Sequence, residues 1–172
     1  DALHQRAGSR EVIDLHGRLD QIACLGCGDL QHRQSLQIRL IVSNPGWRPR
    51  EAMAAPDGDA DIDPAAVAGF EPPYCALCGG MLKPDVVFFG ENVPRARYAQ
   101  AVAAMQAADA ILVVGSSLMV YSGFRFVRTA HESRLPIAIL NRGHTRADAL
   151  ADLKLESDCG EVLAAAIAAT AG

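Results

Sequence analysis

Four of the five cysteines in this 172-residue chain fall into two C-x-x-C pairs, Cys24/Cys27 and Cys75/Cys78. Each pair sets two thiols on one tight turn, where both sulfurs can reach a single ion. Four thiolates at ~2.3 Å are the natural donor set for tetrahedral Zn2+. The gap between the pairs is longer than in a simple zinc ribbon, but each doubling of a loop costs only about 0.6 kcal/mol. Ordinary buried cysteines or a redox C-x-x-C are the competing readings, and two such pairs by accident argue for the metal. With every position filled by protein the site is structural, leaving no open coordination for catalysis. The long aliphatic segments fit an intracellular enzyme better than a secreted disulfide framework.

His16, just after an apolar run and before Gly17, is the best general-base candidate, because imidazole titrates near neutrality. A structural role fits a lone histidine as well, and it is the role assigned to His4, His32, His131 and His144. Gly115-Ser116-Ser117 follows an apolar run directly, and its small residues let backbone N–H groups approach a phosphate. A plain turn explains the same residues. Asn141 closes the next apolar run and fits both a ribose-binding amide and a simple strand-ending Asn, with Gly143 making the turn. No G-x-G-x-x-G occurs in the sequence.

The elements that would position these groups follow from the pattern of apolar residues. Residues 11 to 15 read as a short strand running into His16-Gly17. From Ile22 to Gly80 two knuckles flank a poorly periodic stretch. Six prolines between Asn44 and Pro73, together with the acidic run from Asp57 to Asp63, mark a loop-like insertion. Within it, 51 to 55 or 63 to 68 could form a helical turn. Residues 84 to 90 read as a buried strand or extended segment. A helix is predicted after Pro94, with Tyr98, Val102 and Met105 on one face. Ala110 to Val114 reads as a strand covered on both faces. A helix over Ser122 to Arg134, a strand over Pro136 to Leu140, a short strand near Leu153 to Leu155 and an Ala-rich helix from Gly160 complete the chain. Strands alternating with helices predict an α/β fold with a doubly wound, Rossmann-like parallel sheet. Residues 1–21 and 84–172 would carry this sheet, and 22–83 a zinc module inserted in it.

Half the residues are hydrophobic, enough for a sizeable core. The net charge of -4, without interleaved basic and aromatic residues, disfavours a nucleic-acid surface. No apolar run approaches the roughly 20 residues that cross a bilayer. The Ala/Arg-rich composition suggests a bacterial, cytoplasmic protein.

Taken together, these motifs resemble the sirtuin family. The resemblance rests on Asp1-Ala-Leu-His4, Leu15-His-Gly17, the two cysteine pairs, Lys83-Pro-Asp-Val-Val-Phe-Phe-Gly-Glu91, Gly115-Ser-Ser-Leu118, Asn141 and Cys159-Gly-Glu-Val-Leu163. The Val-Tyr-Ser-Gly stretch at 120 to 123 and the run ending in Asn141 are similar to the class II branch, which includes a mitochondrial member in animals. The resemblance implies an NAD-dependent protein-lysine deacylase with a structural zinc ion. His16 would be the base that activates a ribose hydroxyl once the acyl oxygen of the substrate lysine has displaced nicotinamide. Asp1 would lie near the nicotinamide pocket. Gly115, Ser116 and Ser117 would hold the dinucleotide, Asn141, Arg142 and Gly143 its adenosine ribose, and Cys159 the adenine. Val87, Phe89, Gly90 and Glu91 on one side, with Leu118 and Val120 on the other, would sandwich an acyl-lysine peptide as an added strand.

Sirtuins also carry an upstream Gly-Ala-Gly segment and a Gln-Asn pair, which do not occur here. The chain alone is therefore expected to bind NAD poorly and to have little or no activity. A non-catalytic zinc-stapled interaction module and a protein ADP-ribosyltransferase are the alternative functions.

Overall fold

A computed structural model of the chain describes residues 2–47, 53–54, 60–61 and 63–170. It divides into two compact units, Asp1–Glu91 and Asn92–Gly172.

The first unit opens with a one-turn helix, α1 (Leu3–Arg6). Strand β1 (Gly17–Cys24) pairs antiparallel with β2 (Leu30–His32) on one side and β5 (Leu82–Val86) on the other. Between β2 and β5 lie helix α2 (Arg33–Ser43), the two-residue strands β3 (Met53–Ala54) and β4 (Ala60–Asp61), and a 3-10 turn at Pro64–Val67. The strand expected over 11 to 15 does not form. The chain turns there instead, with the Gly17 N–H donating to the Asp14 carbonyl at 2.9 Å. The Asp14 carboxylate is held by the Gln5 amide at 2.7 Å. A segment closed by local bonds of this kind has no free edge for a ladder.

Two further readings of this unit are corrected. Helix α2 falls inside the stretch read as unperiodic, because only Leu36 is fully buried while Ile38, Ile41 and Val42 are exposed. Of 51 to 55, the described part, Met53–Ala54, is a strand paired with Ala60–Asp61. The 63 to 68 turn is present as the 3-10 turn, capped where the Ala65 N–H donates to the Asp63 carboxylate.

In the second unit α3 (Arg95–Gln106) leads into β6 (Ile111–Val114), α4 (Tyr121–Glu132), β7 (Ile137–Leu140), β8 (Leu153–Leu155) and α5 (Cys159–Thr170). The three strands are parallel in the order β6-β7-β8. This is one arm of a Rossmann-like sheet, and the reversal of strand order that would make it doubly wound is not among the described strands. Val113, Ile137 and Ile139 pack with Val127 and Ala130 of α4, Leu118 and Ala147 into one buried cluster. Register puts Leu112, Ala138 and Leu153 in one row, and Val114, Leu140 and Leu155 in the next. In these rows Leu112 is 58% and Leu153 52% exposed. The strand read as covered on both faces is therefore covered on one. No helix among the described residues is long and apolar enough to cross a membrane.

Candidate active site and metal centre

The two knuckles are built alike. In the first, the Cys24 N–H donates to the Asp29 carbonyl and the Gly28 N–H to the Cys24 carbonyl. In the second, the Cys75 N–H donates to the Gly80 carbonyl and the Gly79 N–H to that of Cys75. The same six-residue loop thus occurs twice, at 24–29 and 75–80, and the four sulfurs lie within 4.8 Å of one another. Cys24 and Cys78 lie 3.5 Å apart, and Cys27 and Cys75 3.8 Å. A tetrahedron of sulfurs at 2.3 Å from zinc has an edge of about 3.8 Å, whereas a disulfide would require about 2.05 Å.

Glycine suits the knuckles because the backbone approaches the sulfurs closely. A Cβ on Gly80 would meet the Cys24 Sγ at 3.0 Å, and one on Gly26 the Cys78 Sγ at 3.2 Å. Backbone N–H groups of Cys27 and Gly26 bring the Cys24 thiol down to about 6. Cys27 is pushed up to about 12 by the sulfurs of Cys78 and Cys24, against the opposite pull of the Asp29 N–H. Four sulfurs gathered within 4.8 Å form a site suited to a divalent cation, and Zn2+ fits this donor set and spacing.

His16 is exposed at the last position before β1. Its carbonyl accepts from the Val87 N–H at 2.9 Å, which ties it to the chain just past β5. Gly17 makes this possible, since a Cβ there would stand 1.8 Å from the Asp85 carbonyl oxygen, on a backbone with φ +89°. Beyond β5 the expected buried segment opens out. Val87 is half-buried, whereas Phe88, Gly90 and Glu91 are exposed and Phe89 is 96% exposed. This turn is nevertheless fixed. The Glu91 carboxylate accepts from the Phe88 N–H at 2.9 Å and pairs with Lys83, whose ammonium also donates to the Val86 carbonyl and sits 4.6 Å from the Phe88 ring centre. Lys83, with the Phe88 N–H, holds the Glu91 carboxyl below its usual range.

In the second unit the loops leaving β6, β7 and β8 gather at the carboxyl ends of the strands, where parallel α/β sheets take their ligands. The Gly115 N–H donates to the Leu140 carbonyl, and the Asn141 N–H to that of Leu155. The Cys159 Sγ lies 3.5 Å from the Leu140 carbonyl oxygen and 3.8 Å from where a Gly115 Cβ would be. Gly115, Asn141 and Cys159 are thus assembled in one place from three loops. Ser116 is half-buried, and its hydroxyl accepts from the Leu118 N–H; Ser117 is exposed. Leu118 adopts φ +56°, uncommon for a bulky residue, with its side chain in the core cluster, while Val120 is exposed. Asn141 is buried, and its amide donates to the carbonyls of Arg142 and Gly143. The exposed Arg142 guanidinium pairs with Asp158 at 2.6 Å. Asp1 lies outside the described residues.

Two features of these loops escaped the sequence reading. Asp158 caps α5, accepting from the Glu161 N–H at 3.0 Å, and a Ser-Asp pair ahead of an Ala-rich helix is the signal that announces it. Asp148, Thr145 and Lys154 form a polar cluster, for which only the Leu-Lys-Leu alternation of β8 gives a hint. A cavity of about 660 Å3 beside α2, lined by Ile38, Val42, Phe70 and Tyr74 among others, includes none of the predicted base or cofactor residues.

The sequence model of the Sir2 family matches residues 1–122. The chain belongs to the Sir2 family. Over 164 residues this Sir2-family chain is 62% identical to an NAD-dependent protein deacetylase of Xanthomonas axonopodis pv. citri, covering 95% of the chain and 56% of that relative. It is 52% identical over 163 residues to the human mitochondrial NAD-dependent protein lipoamidase sirtuin-4, covering 95% of the chain and 52% of that protein. A solved Sir2 structure with a p53 peptide and NAD+ superimposes with a TM-score of 0.73 at 27% identity, covering 99% of the chain and 60% of its own. The chain therefore spans a little over half the length of the relatives it matches.

Proposed function

We propose that this Sir2-family chain is the zinc-bearing and adenosine-side portion of an NAD-dependent protein-lysine deacylase. The carrying observation is the family match, which runs through His16, both cysteine pairs and the loop after β6. NAD would supply the glycosidic bond whose cleavage drives the reaction, together with the ADP-ribose that accepts the acyl group. The balanced outcome is acyl-lysine, NAD and water giving lysine, nicotinamide and O-acyl-ADP-ribose.

In this reading His16 takes the proton of a ribose hydroxyl, which its exposure and backbone tether suit it to do. The loops at Gly115–Ser117, Asn141–Gly143 and Cys159 receive the dinucleotide, supported by their meeting at strand carboxyl ends. Asp1 is assigned to the nicotinamide side. The fixed turn at Val87, Phe89, Gly90 and Glu91 offers backbone and an aromatic face to a peptide, with Leu118 and Val120 assigned to its other side. The name of the human relative extends the acyl groups to be tried beyond acetyl to lipoyl. The bacterial sources of relatives at 54 to 62% identity support a cytoplasmic setting.

The test is an assay of the polypeptide encoded by the complete reading frame with acetyl-, propionyl- and lipoyl-lysine peptides. The expected result is nicotinamide and O-acyl-ADP-ribose formed in equal amounts. A folded, zinc-loaded polypeptide that turns over no NAD would contradict the proposal and favour a zinc-stapled interaction module.

A further inference from the structure

Asp148 is a hub. Its carboxylate accepts from the Thr145 hydroxyl at 2.5 Å and the Thr145 N–H at 3.1 Å, from the Lys154 ammonium at 2.8 Å, and from the His144 ring at 2.8 Å. Lys154 reaches this hub from the middle of β8 and also donates to the Gly143 carbonyl at 3.0 Å. The same carbonyl accepts from the Asn141 amide at 3.2 Å. Gly143 is therefore pinned from two sides, by a strand neighbour and by the buried amide that opens its own loop. Thr145 is buried, and its hydroxyl also accepts from the Ala147 N–H, so the loop is closed at its far end as well.

The strengths of the contacts are unequal. The His144 ring is almost fully exposed, so its contact with Asp148 is weakened by solvent. Lys154 and Asp148 are each about four-fifths buried, where a charged hydrogen bond counts for more. Lys154, first, and Thr145 hold the Asp148 carboxyl well below the usual carboxylate range. Neither Lys154 nor Asp148 belongs to the residues assigned to the ligand. Lys154 instead holds the Gly143 carbonyl, and Asp148 holds Lys154 and the Thr145 backbone at the far end of the same loop.

We infer that Lys154 and Asp148 are positioning residues that hold the Asn141–Gly143 loop in the form that receives the adenosine ribose. The inference rests on the cofactor reading proposed above. It assigns Lys154 an effect on dinucleotide affinity and none on the chemical step. Without the ammonium, Gly143 loses one of its two anchors and Asp148 its strongest partner, so the loop samples other arrangements before NAD binds. The apparent affinity then falls by the fraction of time the loop is misplaced.

The test compares wild type, Lys154→Met, Asp148→Asn, the double variant and Lys154→Arg, all in the polypeptide from the complete reading frame. NAD binding is measured by titration calorimetry, and KM for NAD and kcat with an acyl-lysine peptide. Lys154→Met is expected to weaken NAD binding and raise its KM about tenfold, as for loss of a charged hydrogen bond, with kcat at saturating NAD within about twofold. The double variant should be no worse than the more damaging single one, because the pair acts as a unit. Lys154→Arg, which can donate to both acceptors, should recover most of the affinity. Unchanged NAD affinity in a folded Lys154→Met protein would overturn the inference, as would a loss of kcat that Lys154→Arg does not recover. If wild type itself shows no NAD binding, the cofactor reading fails and this inference with it. If wild type binds NAD and the variants bind it equally well, only the inference fails.

Discussion

The two units hold their functional groups by different means. Among the described residues of the first, the buried side chains are few: Ala2, Ile22 and Leu36 lie inside together with Cys24 and Cys75, which belong to the metal site. Sequence-distant knuckles are brought together by sulfur, and the strands on either side hang from that junction. In the second, seven apolar residues form one continuous cluster beneath the sheet, and the loops above it are held by hydrogen bonds and ion pairs together with the two cluster members they contribute, Leu118 and Ala147. A unit with little core depends on its ion for folding free energy, whereas a unit with a packed core can leave its loops free to receive a ligand.

The comparison is broken most severely by removing the metal. Chelation, or Cys75→Ser, should abolish hydrogen-exchange protection over Gly17–Cys24 and Leu82–Val86 while leaving Ile111–Val114 and Ile137–Leu140 protected. Equal loss in both units would show that they share one source of stability. The converse cut is Ile139→Ala, which empties a fully buried site in the second unit. It should cost about 2–5 kcal/mol in a denaturant melt and leave the zinc content unchanged.

A sharper test lies within the first unit. Gly17→Ala forces a Cβ into the Asp85 carbonyl and should cost at least about 2 kcal/mol in the same melt. Zinc should remain bound, because the clash falls at the end of β1 away from Cys24, while the deacylation proposed for the polypeptide from the complete reading frame falls as His16 is displaced. The smallest effect expected is at the α5 cap. Asp158→Ala should lower the Tm slightly at neutral pH, and Asp158→Ser, which can still cap, by less. The Glu161 N–H and Arg142 hold the Asp158 carboxyl below its usual value, so its contribution is full above that value, about 3.9, and fades as the pH falls through the folded-state value. The difference between Asp158→Ala and wild type should therefore shrink in acid.

The features legible in the sequence are those whose physics is local or periodic. The cysteine spacing announced the metal centre, and the apolar runs at 110–114 and 136–140 announced the strands that carry Gly115 and Asn141. Helix α2 was hidden because three of its large apolar residues point outward, which blurs the period. The strand assigned to 11–15 was lost to a turn that Asp14 and Gly17 close between them, a bond no pattern of hydrophobicity records. The Asp148–Lys154 cluster joins a loop to a strand, and the pairing exists only after the chain has folded. Phe89 sits in an apolar run that reads as buried, yet the Lys83–Glu91 clamp turns the chain outward at that point.

The most direct test of the functional account separates the two chemical stages at His16. In the polypeptide from the complete reading frame, exchange of labelled nicotinamide into NAD reports the first stage, and O-acyl-ADP-ribose formation the second. If His16 is the base that activates the ribose hydroxyl, His16→Ala should lower product formation by about 10²–10⁴-fold while peptide-dependent nicotinamide exchange persists. Product formation that survives in His16→Ala, or exchange lost in the same proportion, would contradict that assignment.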